Sequence, residues 1–249
     1  MITVFRLGAI ILAVMLAGGG FDVALAQEAP DEAVFTGGLS SRVIQLFALV
    51  TVLSIAPGIA MMVTCLPFMI IVFSILRQAI GLQQAPPNML IMSLALFLTY
   101  FVMEPVFSQA WENGVQPLLD GDVTEEQAFE RTLTPFRFFM EGRVSAVAVE
   151  TLTEAAGAER IDTQAEGQTP LSILIPAFML SEIQHAFEIG FVIFLPFLII
   201  DLIVASVLMA MGMMMVPPAI VSLPFKLAFF VLANGWVQIA GAVVKGYGT

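Results

Sequence analysis

Two long apolar blocks, Val43 to Ala110 and Pro170 to about Val244, constrain this chain most, because each is interrupted by a double proline. No alternating strand pattern runs through them, so both read as helical. A bilayer demands the same, since it offers no water to satisfy an open backbone. Pro86-Pro87 and Pro217-Pro218 end a helix, because each proline lacks an N–H and clashes with the preceding turn. Pro57-Gly58 and Pro67 break the first block further, and Pro176, Pro196 and Pro224 the second. The pattern predicts short, kinked or discontinuous helices. Composition agrees: 59% of residues are hydrophobic and 12% charged, against roughly 45–50% and about a quarter in soluble domains.

The blocks resemble one another. Pro67-Phe68-Met69-Ile70-Ile71 leads through apolar residues to the first double proline, and Pro196-Phe197-Leu198-Ile199-Ile200 leads to the second. Each reads as a helix–Pro-Pro–helix hairpin, although coincidence within a small apolar alphabet is the alternative. Arg77 and Lys226, near the two turns, give a faint positive-inside signal.

Flanking segments complete the layout. Arg6, the apolar run Leu7 to Leu16 and Ala24-Leu25-Ala26 read as a cleavable signal peptide over residues 1–26, with an uncleaved anchor as the alternative. A polar leader covers 27–42, and the first hydrophobic helical block covers 43–110. An acidic, extracytoplasmic helical segment covers 111–169, and the second hydrophobic block 170–249. In the acidic segment Thr124 with Gln127, and Thr151 with Glu154, fit capping boxes. Thr169-Pro170 fits a cap followed by a first-turn proline. The expected fold class is all-α and membrane-associated, two hairpin-like blocks around a polar helical segment.

Several functions are excluded or disfavoured. A formal charge of -11 argues against nucleic acid, which needs a basic surface. The single cysteine, Cys65, precludes an intrachain disulfide. No G-x-S-x-G, P-loop or C-x-x-C motif occurs, so no catalytic residue, cofactor or enzyme activity is expected. Glu182, His185 and Glu188 recur every third residue, but His185 is the only histidine, so no metal site is expected.

Charges within apolar helices are a stronger lead. Asp201, Glu104, Glu182 and Lys226 lie in or beside such helices, where an ionised group is costly and is usually paired or water-facing. Asp201 and Glu104 suit either structural pairing or ion and proton transport. Glu182 is the expected partner of Lys226, as an intersubunit pair. The run Pro196 to Pro218 ends in Met211, Gly212, Met213, Met214, Met215, Val216 and the double proline. Methionine is flexible and polarizable, so this end suits either a pliable apolar plug or plain filling between helices.

Several spaced motifs, Pro176 to Ile183, Phe187 to Phe191, Pro196 to Leu202, Met211 to Pro218 and Leu223 to Leu227, closely resemble the FliP family of type III secretion export gates. Leu76-Arg77-Gln78-Ala79 and Gln83 to Asn88 resemble it too. The resemblance implies an all-helical subunit of a pentamer, assembled with FliQ and FliR and adjoining FlhB and FlhA. The assembly would sit at the inner membrane in the flagellar basal body, largely on the extracytoplasmic face. It would pass unfolded flagellar subunits, with the methionine loop as a gasket formed by Met213, Met214 and Met215, and Met211 beside them. The virulence injectisome subunit is the nearest rival. A transporter using Asp201 and Glu104 is the alternative of a different class. Glu141 to Glu150, EGRVSAVAVE, departs from the family's charged helix, which puts intersubunit ion pairs carried there in doubt.

Overall fold

A computed structural model describes residues 32–82, 85–156, 169–213 and 215–247, with side chains from 43 onward apart from 52 and 56. The signal peptide, the first residues of the leader, Gln83, Gln84 and Met214 lie outside the described residues. Two compact units divide at Leu53 and Ser54. The described residues are helical and contain no strand.

Helix α1 (Glu32–Val63) supplies the described part of the first unit and the start of the second. Its stretch Val43–Val63 is apolar and buries none of its residues within the chain. The second unit is built around α2 (Leu66–Ile80), which exposes little on any side. Phe68, Met69, Val72, Phe73, Leu76 and Ala79 are fully or almost fully buried along it. Around α2 pack α3 (Asn88–Ala110) and α7 (Leu171–Ala210), with α8 (Pro218–Leu232) adding Phe230 and α9 (Gly235–Lys245) adding Val243. Fifteen residues of helix reach only about 22 Å, so α2 is a core element too short to cross a bilayer. By length and composition Val43–Val63, Asn88–Asp120 and Leu171–Ala210 can each cross one, and α8 with α9 forms a pair bent by 60°.

Both expected hairpins are present: α2 packs on α3 across Pro86-Pro87, and α7 on α8 across Pro217-Pro218. The other prolines behave differently from expectation. Pro57 lies inside α1, Pro176 and Pro196 inside the 40-residue α7, and Pro224 inside α8. Each removes one i→i−4 bond, yet neighbouring helices and the remaining ladder support an apolar helix through such a point. The double prolines do not end helices as expected: α2 and α7 stop earlier, just before the left-handed Gly81 and Gly212, while Pro87 and Pro217 hold the cap positions of α3 and α8 and Pro67 the first turn of α2.

The described part of the polar segment is helical. Past Ala110 the chain makes a π-helical turn, Trp111–Val115, then α4 (Gln116–Asp120), α5 (Glu125–Glu141) and α6 (Ala146–Ala156). Thr124 closes the expected capping box with Gln127 at the start of α5. Thr151 does not cap: α6 starts five residues earlier, and the Thr151 hydroxyl donates to Val147 O one turn back. Thr169 does not cap either. Pro170 holds the cap position of α7 without a side-chain bond, while the Thr169 carbonyl accepts from Arg137 at 2.7 Å. The π turn lies tight against α5, where a Cβ on Gly114 would stand 2.1 Å from Thr132 Oγ1 and 2.8 Å from its backbone N.

Candidate functional site

The methionine-rich end of α7 is closed by glycine chemistry. Gly212 adopts φ +74°, a left-handed conformation that costs a glycine little. Its N–H donates to Met209 O at 3.0 Å, and the Met213 N–H donates to Leu208 O at 3.0 Å. Those two bonds make a Schellman ending, which satisfies carbonyls the helix would leave open. The chain then turns through Val216 N–H to Met213 O and enters α8 at Pro217-Pro218. Three side chains of this stretch are exposed: Met211 at 65%, Met213 at 41% and Met215 at 97%. Met209, in the last turn of α7, is 61% exposed and extends the same surface, which the sequence reading had left out.

Two polar side chains on α8 and one on α7 lock the base of this hairpin. Lys226 Nζ lies 2.6 Å from Asp201 Oδ2, and Ser222 Oγ donates to Asp201 Oδ1 at 2.5 Å. The ammonium also donates to Ala79 O at 3.1 Å, satisfying a carbonyl at the C-terminal end of α2. One buried lysine therefore ties α2, α7 and α8 together. Lys226 and Glu182, expected to pair between subunits, each have a different partner within the chain. Glu182 stands 19 residues from Asp201, about 28 Å along α7. Asp201 lies nine residues before the end of α7 and Lys226 eight after the start of α8, so the hairpin sets them side by side.

Glu182 is fully buried in a second cluster. Arg143 Nε donates to its Oε1 at 3.2 Å, and the Tyr247 hydroxyl donates to its Oε2. Sequence reasoning missed Arg143 and Tyr247, since nothing in their local spacing points toward residue 182. Glu182 is thus not free to join His185 and Glu188 as a metal ligand, and among the described residues no group of three His, Cys, Asp or Glu side chains is placed to hold an ion. Arg77 braces the first double-proline turn, donating to Pro86 O at 3.4 Å and to Asn88 Oδ1. Glu104 sits on an exposed face of α3 and, among the described residues, accepts from Ser108 one turn on, at 3.3 Å. The structure brings Asp201 and Lys226 together on the hairpin that carries the methionines, while Glu104, Glu182 and Arg77 engage other groups. A cleft of about 560 Å³ lined by Glu112, Arg131 and Phe138 lies in the polar segment, away from the methionine turn.

The chain as a whole is similar to known proteins. The FliP family model matches residues 49–243. The flagellar biosynthetic protein FliP of Agrobacterium fabrum is 46% identical over 239 residues, which cover 95% of this chain and 97% of that protein. Its counterpart in Caulobacter vibrioides is 49% identical over 225 residues, covering 90% and 84%. That of Bacillus subtilis is 40% identical over 207 residues, covering 83% and 93%. With the family model spanning most of the chain and relatives this similar along nearly their whole length, the chain belongs to the FliP family.

Proposed function

We infer that this protein is a core subunit of the flagellar type III export gate, in which repeated copies line a pore and the Met211–Met215 turn acts as its gasket. The observation that carries the reading is the exposed methionine turn on a fixed base. Flexible, polarizable side chains face outward, while the Schellman ending, the double proline and the Asp201–Lys226–Ser222 lock hold the backbone that bears them. Repetition around a ring, a pentamer by resemblance, would bring several such turns to one constriction. A soft ring closes against ions and deforms around a passing unfolded polypeptide. The flagellar names of the relatives favour this setting over the injectisome. FliQ, FliR, FlhB and FlhA are the partners this reading assigns, in the inner membrane and largely at its extracytoplasmic face.

The arrangement of charges supports scaffold over ion relay. Asp201 has its carboxylate engaged by Lys226 and Ser222, and Glu104, on a different helix, has no ion pair among the described residues. The test is conductance of the assembled complex in a planar bilayer, with Met211, Met213, Met214 and Met215 changed to alanine. The gasket reading expects a raised leak of small ions at unchanged assembly. Unchanged conductance in a complex of unchanged mass removes the role.

A further inference from the structure

The ion pair between Arg143, 23% exposed, and the fully buried Glu182 lies beneath a short strap, Gly246-Tyr247, that follows α9. Outside its own helical turn, this strap is held by groups from three distant parts of the chain. Arg143 donates to Gly246 O at 3.0 Å, and its guanidinium lies 4.1 Å from the centre of the Tyr247 ring. The Tyr247 hydroxyl donates to Glu182. The ring meets Phe68 edge-on at 5.2 Å and stacks against Phe139 at 6.2 Å. Beside it, the Ser145 N–H donates to Ser181 Oγ at 2.9 Å, tying the turn before α6 to α7. A cavity of about 170 Å³ lies under the strap, lined also by His185, Glu188 and Val243.

We propose that Gly246-Tyr247 is a conformational latch that clasps the Arg143 turn to α7 and closes this cavity, so that its release frees the turn without unfolding the core. A buried ion pair by itself contributes little net stability, but an ion pair missing one hydrogen-bond partner is costly. Tyr247 supplies the partner for the second oxygen of Glu182 and covers the face of Arg143. Burial, with the charge of Glu182 next, holds the Tyr247 hydroxyl well above its ordinary range, so it remains a donor at neutral pH. When the strap leaves, the fully buried Glu182 loses the cover and the donor that Tyr247 supplies, and the Ser145–Ser181 bond is the nearest link to loosen. The latch does not rest on the pore reading, since every group in it belongs to one chain.

Hydrogen–deuterium exchange on the full chain in detergent tests it, comparing wild type with Tyr247→Phe and Tyr247→Ala. Tyr247→Phe keeps the ring and its packing and removes only the donor. The latch expects exchange at the Ser145 amide to rise roughly tenfold or more in Tyr247→Phe, the effect of losing a hydrogen bond to a charged group. The rise is larger in Tyr247→Ala, while amides of residues 68–76 in α2 keep their protection. Unchanged exchange at Ser145 in both variants overturns the latch, as does an equal rise across residues 68–76, which would make Tyr247 part of the global core.

Discussion

Replacing either member of the Asp201–Lys226 pair should have unequal effects, and the inequality follows from burial. The Lys226 side chain is 8% exposed and that of Asp201 33%. Removing one partner of a buried pair costs about 3–5 kcal/mol, because the other is left uncompensated. Asp201→Ala strands the buried ammonium with Ala79 O as its remaining acceptor, so its cost should fall in that range. Lys226→Met leaves a carboxylate that is 33% exposed and still accepts from Ser222, so the loss should be smaller, about 1–2 kcal/mol. The double variant Asp201→Leu with Lys226→Met removes both charges and fills the space. It should cost less than Asp201→Ala alone, since apolar replacements of buried pairs are often neutral. Thermal unfolding of the full chain in one detergent measures all three. A loss of 1 kcal/mol lowers the midpoint by roughly 2–4 °C in a chain this long, so Asp201→Ala should lose roughly 6–20 °C. If Lys226→Met is the more damaging, or the double variant loses the sum of the singles, the lock does not work as described.

Three further outcomes follow from the geometry. Gly114→Ala should lower stability by about 1–3 kcal/mol, the range for overpacking, because the new methyl meets the backbone N of Thr132 at 2.8 Å; Thr132→Ser in the same chain should not restore the melting midpoint. Gly212→Ala places a side chain at φ +74°, which should cost about 1 kcal/mol and, in the assembled gate, raise ion leak with Met211 to Met215 intact. Cys65 is fully buried, and burial above all pushes its thiol from 9.0 up to about 12. The raised value contributes stability that is fully present below pH 9.0 and lost as pH rises toward 12. Cys65→Ser should therefore flatten the alkaline limb of a stability–pH curve, and maleimide should label Cys65 only on unfolding.

The sequence carried the helices, the two double-proline turns and the methionine end because each depends on local chemistry: apolar runs, missing N–H groups and a glycine followed by two prolines. Single prolines misled. In a soluble helix each would be a break, whereas in α7 the ladder continues through Pro176 and Pro196 with other helices packed around it. Thr151 misled for a related reason, since the cap pattern matched while the helix had already begun at Ala146. Charge partners depend on tertiary register. Hairpin arithmetic around Pro217-Pro218 would have set Lys226 opposite Asp201, because the two are nearly equidistant from the turn. No such arithmetic links Arg143, Glu182 and Tyr247, which meet only once the Arg143 turn, α7 and the strap after α9 have packed.

The central claim, that the exposed methionine turn faces the path of exported polypeptide, is tested most directly by site-specific photo-crosslinking in cells. A benzophenone amino acid replaces Met215, the residue 97% exposed at the tip of the turn. The account predicts ultraviolet-dependent adducts with an unfolded flagellar export substrate and with neighbouring copies of the chain, and none to substrate from Phe129, exposed on α5 in the polar segment. Adducts from position 215 to lipid alone, in cells that still assemble the gate, would contradict it.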